Sequence, residues 1–408
     1  MKVMLVDPSL FTAPYDGALD DGLRANGVRT CWATRDLRSG EEPDLRAEAT
    51  LVRFYPLTDG LRRKTSGAWK ALKGLEHFIG LRLLEQAAHD VDIVHFQWAP
   101  LPALDARVIR KIARKRPVVL TVHDTEAFNG AHINSLQLHG IEALFGAAHH
   151  LIVHTASARD RLVARGIAPA KISTIAHGPL PLRHAPRPVH DKLAGRWRIV
   201  LFGRLQTYKG IDLVVEALGA LTASQRDQLE VVVAGEPLMA LDSVKARARE
   251  LGLDHHCFQL REGRLGHQDM ADLLGSADTF LFPYRAIEAS GVLYLVAGLG
   301  KWLIASALGA FNDLLGDRPQ QGQLIQPGEV FELAQAMLAS IGQKPTGTCT
   351  NWAPSWNSIG AQTRKVYADL LDGWQDGFTV ETRTPAPTGA PKPLHVRKNL
   401  SPAGRIRS

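Results

Sequence analysis

Two cations in one short loop offer the clearest chemistry in this sequence. Arg204 and Lys209 lie in Phe202-Gly203-Arg204-Leu205-Gln206-Thr207-Tyr208-Lys209-Gly210. A guanidinium is a planar fork and an ammonium a point charge, and together they suit a diphosphate. A second stretch, Pro283-Tyr284-Arg285 through Ser290-Gly291-Val292, ends in a small polar pair that opens an apolar helix. The free amides of such a first turn attract an anion. Taken singly, each stretch is an ordinary strand-to-helix connection. Taken together, one supplies cations and the other amides, and they predict a nucleoside-diphosphate site.

Imidazoles form the second set. Four apolar runs finish in histidine: Ile93-Val94-His95, Val118 to His123, Leu151-Ile152-Val153-His154 and Ile172 to His177. A single histidine at a strand end is ordinarily a satisfied structural group. Four at one edge argue that some of them line a cleft. Asp90-Val91-Asp92 has the spacing of a metal-binding pair, but it precedes its strand and so falls at the edge away from that cleft. No metal site is read from it.

The elements that must position these groups follow from periodicity. Ile199 to Phe202 has the length of a buried strand, and from Gly210 the spacing of Leu213, Val214, Ala217 and Leu218 is helical. Val3 to Val6 reads as the first strand, Asp7 to Gly17 as a loop, and about Ala18 to Ala25 as a helix ended by Asn26-Gly27. Further runs read as strands over Leu229–Ala234 and Cys257–Leu260, with helices over Ser243–Leu251 and Asp269–Leu274. Gly178 to Gly195 holds four prolines and reads as an interdomain hinge. Strand and helix alternate in both halves, which predicts an α/β fold of two doubly wound Rossmann-like domains facing a cleft.

Composition sets the frame. The chain has 408 residues, enough for two cores, and a formal charge of +7. Met1 to Asp7 is too short for a signal peptide, no apolar run reaches membrane-spanning length, and Cys31, Cys257 and Cys349 have no metal or redox spacing. A cytoplasmic protein with reduced thiols is expected. Residues 53 to 82 carry Arg53, Arg62, Arg63, Lys64, Lys70, Lys73 and Arg82 against Asp59 and Glu76, with Trp69, Leu72, Phe78, Ile79 and Leu83 interleaved. That pattern fits either a helix lying on an anionic membrane surface or a solvated helix packed on its domain. No nucleic-acid motif accompanies it, so nucleic acid is not expected as a partner. From Thr382 onward the chain is proline-rich and basic, with no acid, and reads as a disordered tail.

The stretch Phe202 to Leu218 resembles the Gly-Arg-Leu…Lys-Gly-hydrophobic-Asp signature of the retaining glycosyltransferase family 4. Pro283-Tyr284-Arg285-Ala286-Ile287-Glu288-Ala289-Ser290-Gly291-Val292-Leu293 resembles the variant found in its bacterial polysaccharide and cell-envelope members. The resemblance covers the second half closely and the first half loosely. It implies a GT-B arrangement: an acceptor-binding domain over 1–178, a linker over 179–197, a nucleotide-sugar-binding domain over 198–350, a helix over 351–373 crossing back, and the tail over 374–408. The implied activity moves a sugar from a nucleoside diphosphate donor to a glycan or polyprenyl-linked acceptor, with retention. The implied setting is exopolysaccharide or cell-envelope synthesis on the inner face of the plasma membrane.

Roles follow from these residues and the resemblance together. Arg204 and Lys209 would hold the leaving diphosphate, with no metal and no cofactor, and His123, in Thr121-Val122-His123, would face the transferred sugar. Gly203, Tyr284, Arg285, Ser290, Gly291, Val292 and Glu236 would touch the donor. Gly17, His95 and Trp98 would touch the acceptor. His177-Gly178 resembles a structural turn at the domain junction, and Glu126 is a candidate acid/base group. The family's Glu-x7-Glu positions fall on Ile287 and Leu295, neither acidic, with Glu288 one residue out of register. Two rivals therefore stay open: an epimerase or hydrolase of the same fold, and a non-catalytic membrane-associated scaffold.

Overall fold

Every strand pairing among the described residues is parallel, so each connection must carry a crossover. The computed structural model describes residues 1–38, 50–59, 67–125, 140–180, 182–189, 191–287, 290–345 and 353–375. The strands fall into two sheets. The first holds β1 (Lys2–Asp7), β2 (Arg29–Arg35), β3 (Thr50–Phe54), β4 (Ile93–Phe96), β5 (Val118–Val122), β6 (His150–Val153) and β7 (Ile172–Thr174), in the order β3-β2-β1-β4-β5-β6-β7. The second holds β8 (Trp197–Phe202), β9 (Leu229–Gly235), β10 (Phe258–Glu262), β11 (Thr279–Phe282), β12 (Trp302–Ser306) and β13 (Gly322–Ile325), in the order β10-β9-β8-β11-β12-β13.

In both sheets the strand order reverses beside the first strand. Ligands of open α/β sheets bind in the crevice at such a switch point, outside the carboxyl ends of the strands. In the first sheet the switch lies between β1 and β4, and in the second between β8 and β11. The two stretches singled out in the sequence leave β8 and β11, so they flank one crevice.

Helices cover both faces of each sheet. On the first, α1 (Ala13–Ala25) packs on one face; α2 (Gly67–Ala87), α3 (Pro102–Ile112), α4 (Ile141–Ala147) and α5 (Ala156–Ala164) take the other. The helix α1 starts before the expected Ala18, because Pro14 sits in its first turn, where a missing N–H costs nothing. The second sheet carries α6 (Ile211–Gly219), α7 (Ala223–Arg226), α8 (Asp242–Glu250), α9 (His267–Ser276), α10 (Gly291–Val296), α11 (Gly309–Leu315) and α12 (Val330–Ala339). The last helix, α13 (Trp356–Gln375), lies against α1. Two glycines allow that close crossing: a Cβ on Gly360 would fall 2.2 Å from the backbone of Gly22. Trp356 of α13 donates through Nε1 to the Pro179 carbonyl at 2.7 Å, which ties this helix to the hinge.

At the far end of the second sheet, Arg198 is wholly buried and forked onto Glu230, at 2.9 and 2.8 Å. This pair fastens the amino ends of β8 and β9 and leaves their carboxyl ends to carry the loops.

Candidate active site

The site is built from the end of β8. Gly203 has φ +109, in the region that favours glycine, and its amide bonds the Ala234 carbonyl of β9 at 3.0 Å. A Cβ there would fall 2.9 Å from Val292 and 3.0 Å from Lys209 Nζ. Glycine at this position therefore lets the lysine reach in under the loop. Lys209 is buried, and its Nζ donates to the Phe202 carbonyl at 3.0 Å and to the Tyr284 hydroxyl at 2.7 Å. Burial, and then the charge of Arg204, bring its pKa down to about 7. Arg204 itself is exposed, and its guanidinium carbon lies 5.3 Å from the ring of Phe11, which follows β1 in the other domain.

Two expected donor contacts are corrected by their partners. Tyr284 is wholly buried among Phe282, Phe311 and Tyr208, and its hydroxyl is spent on Lys209, so it orients the lysine and does not meet a ligand. Arg285 forks onto Asp212 at 2.8 and 2.6 Å and donates to the Thr207 carbonyl at 3.1 Å. Its guanidinium clamps the loop after β11 to the helix after β8 instead of facing a diphosphate. Ser290 caps α10, accepting from the Leu293 amide at 3.4 Å, and its hydroxyl also bonds Tyr284, so it serves the helix and the core beneath it. Gly291 is exposed, and a Cβ added there meets nothing within 4 Å. Val292 is half-buried against Gly203. Glu236 is exposed, with its carbonyl accepting from the Leu205 amide at 2.8 Å.

In the facing domain the switch point between β1 and β4 carries an aromatic pair. Phe11 is 48% exposed and stacks on Trp98, centroids 4.2 Å apart. Leu10 beside it holds φ 52, a strained value for a branched side chain, and Asp7 fixes the turn by accepting from the amides of Ser9 and Thr12, both at 3.0 Å. Sequence reasoning found Trp98 but passed over Phe11, whose only signal was its place in the loop after the first strand.

The four histidines separate into roles. His95 is wholly buried, with Nδ1 on the Tyr367 hydroxyl at 2.6 Å and Nε2 on Thr121 at 2.8 Å. Both ring nitrogens are used, so the expected acceptor contact is withdrawn and His95 docks α13 onto the sheet. Burial pushes its pKa down to about 3. His177 bonds the Gly178 carbonyl at 2.6 Å and stacks on Tyr294 of α10 at 3.8 Å, a contact between the two domains. His154 and His123 touch each other, Nε2 to Nδ1, at 3.3 Å. Tyr15 packs its ring against His123, His154 and His177, with centroids 4.8, 5.1 and 4.9 Å away. The Nε2 of His123 is buried and has no partner among the described residues. Gly17 lies inside α1 and is buried, so the loop-glycine role expected of it is withdrawn. Asp90 is exposed, and Asp92 accepts from the Lys2 amide at 2.7 Å. Glu126 and Glu288 lie outside the described residues.

Comparison with known proteins agrees with this architecture. Residues 18–178 match the family described as Glycosyltransferase Family 4, and residues 196–343 match Glycosyl transferases group 1. The chain is 28% identical over 415 residues to D-inositol 3-phosphate glycosyltransferase 1 of Catenulispora acidiphila, covering 90% of this chain and 95% of that protein. It is 29% identical over 150 residues to the lipopolysaccharide core biosynthesis mannosyltransferase LpsB of Rhizobium meliloti, 35% of this chain and 41% of that protein. Among solved structures, Anabaena Alr3699/HepE in complex with UDP superposes with a TM-score of 0.60 at 17% identity, over 92% of this chain and 100% of the other. Sucrose-phosphate synthase from Thermosynechococcus elongatus gives 0.63 at 17%, over 91% and 100%. With one family matched by each half and both sheets arranged as in these neighbours, the chain belongs to the group 1 and family 4 glycosyltransferases of GT-B fold.

Proposed function

We propose that this glycosyltransferase moves a sugar from a nucleoside diphosphate donor to a glycan or polyprenyl-linked acceptor, with retention, in bacterial exopolysaccharide or cell-envelope polysaccharide synthesis. One observation carries the reading. A buried lysine and an exposed arginine lie on the loop after β8, at the switch point, opposite the Phe11–Trp98 pair. As the glycosidic bond breaks, negative charge collects on the departing diphosphate. Arg204 and Lys209 supply the compensating charge from the protein, a role in which no metal is required. The Phe11–Trp98 rings offer a flat apolar surface for a sugar ring of the acceptor. Solved complexes of HepE hold UDP and UDP-glucose, which supports a nucleoside diphosphate in the corresponding crevice here.

Calorimetry against UDP, GDP and ADP tests this directly. One of them is expected to bind, and a scaffold with a dead site would bind none. The epimerase or hydrolase rival is separated by supplying donor alone: it would consume donor without an acceptor, whereas a transferase would leave most of it intact.

We also propose peripheral contact with an anionic membrane, through α2. The inward face of this helix seats Leu81 and Leu84 in the core, yet it also carries polar groups. Its charged Glu76 and its His77 face inward: Glu76 accepts from the Leu57 and Thr58 amides at 2.7 and 3.1 Å, and His77 bridges Tyr55 and Asp105, both at 2.7 Å. Its apolar Leu72, Leu75, Phe78, Ile79 and Leu83 face outward. That stripe is flanked by exposed Lys70 and Arg82, and α3 packs beside it with exposed Arg107, Arg110 and Lys111. An apolar stripe edged by cations suits an anionic bilayer surface. Of the basic stretch seen in the sequence, Arg62, Arg63 and Lys64 lie outside the described residues. The protein is expected to float with phosphatidylglycerol vesicles and not with phosphatidylcholine ones. A Leu75→Asp, Ile79→Asp variant is expected to lose that binding while keeping its nucleotide affinity. Equal flotation of both proteins would remove the α2 surface from consideration.

A further inference from the structure

His154 decides what His123 can offer. Nδ1 of His154 lies 3.0 Å from the Ile175 carbonyl, which can only accept, so this nitrogen carries the hydrogen. Burial keeps the ring neutral, with its pKa pushed down to about 4. A neutral imidazole has one N–H, so Nε2 of His154 is a bare acceptor. It faces Nδ1 of His123 at 3.3 Å. Two bare nitrogens would repel, so His123 carries its hydrogen on Nδ1. Burial, reinforced by the neighbouring imidazoles, holds His123 neutral as well, far below its usual pKa. Its Nε2 is then a lone pair, buried and unpartnered among the described residues.

We infer that His154 is a positioning residue: it fixes His123 as the Nδ1–H tautomer, so that the site presents a hydrogen-bond acceptor to the bound sugar and takes a sugar carrying a free hydroxyl at that point. The consequence for the sugar rests on the transferase reading above; the tautomer does not. A hydroxyl donates into the lone pair, whereas a deoxy or O-alkylated position leaves it unpaired in a dry site. The surroundings keep the relay in one state. Tyr15 packs on both rings with its own phenol pushed up in pKa by burial, and its hydroxyl engages Thr121. His177, also held neutral by burial, spends its Nδ1 on Gly178.

Nitrogen-15 spectra of the full-length protein with labelled histidine read the tautomer without any ligand. The His123 and His154 signals are assigned by their loss in His123→Gln and His154→Gln. Between pH 6 and about 8 both rings are expected to show a protonated Nδ1 and a bare Nε2. In His154→Phe, which keeps a ring against Tyr15 but removes the acceptor, the His123 Nε2 signal is expected to move from the bare-nitrogen range toward the N–H range. A structural role alone would not move it. A protonated His123 Nε2 in the wild-type protein overturns the inference, and so does an unchanged His123 tautomer in folded His154→Phe. Should that variant not fold, the wild-type spectrum decides alone. If the tautomer stands while no nucleotide binds, the transferase reading fails and the relay survives.

Discussion

Lys209→Ala is expected to lower sugar transfer by about 10²–10³-fold, the usual effect of removing one preorganised charge donor from a developing anion. The fold should survive, because the ammonium is held by two hydrogen bonds, to Phe202 and Tyr284, and by no ion pair among the described residues. Tyr284 keeps its packing against Phe282 and Phe311 when the lysine is gone. Lys209→Arg is expected not to rescue activity. Nζ lies so near the Gly203 backbone that even an added Cβ would stand 3.0 Å from it, and a planar guanidinium needs more room than a point charge. The measurement is kcat/KM with the donor identified by calorimetry, beside circular dichroism of each purified variant. Unchanged turnover in folded Lys209→Ala would reject the role given to this residue.

How much of this was legible in the sequence depends on how local each feature is. The loop bearing Arg204 and Lys209 was legible because strand, glycine, loop and helix follow one another within a single stretch. The sheet order then put it beside the second motif, as the general rule for doubly wound sheets requires. Partners drawn from elsewhere in the chain were not legible. Nothing in Pro283-Tyr284-Arg285 says that Tyr284 turns inward onto Lys209 or that Arg285 is claimed by Asp212. Nothing in Ile93-Val94-His95 announces Tyr367, 272 residues away, as the group that occupies its imidazole. The pattern of α2 left two readings open for the same reason. Periodicity shows which residues share a face but not which face is inside, and here Glu76 and His77 find buried partners beside Leu81 and Leu84 while a second aliphatic stripe stays outside.

The pH dependence of diphosphate affinity is expected to run opposite to that of stability, and Lys209 sets both signs. Its pKa in the free protein is about 7, against 10.5 when unhindered. Below pH 7 it is charged in both the folded and the unfolded chain, so the folded state bears the full cost of burying it. Between pH 7 and 10.5 the folded state binds fewer protons than the unfolded one, and stability therefore rises with pH, by up to ~1.4 kcal/mol per unit from this group. A bound diphosphate has the reverse preference. It favours the ammonium and raises the lysine's pKa, so above pH 7 binding must take up a proton. Affinity should then fall by up to about tenfold per pH unit until the pKa of the complex is reached. Calorimetry in buffers of differing ionisation enthalpy would show that proton uptake for the wild-type protein at pH 8 and not for Lys209→Met. Thermal unfolding across the same range would show the rise in stability in the wild-type protein and its absence in the variant. If affinity and stability move together with pH, or if the variant behaves as the wild type does, the buried ammonium is not the group that meets the diphosphate.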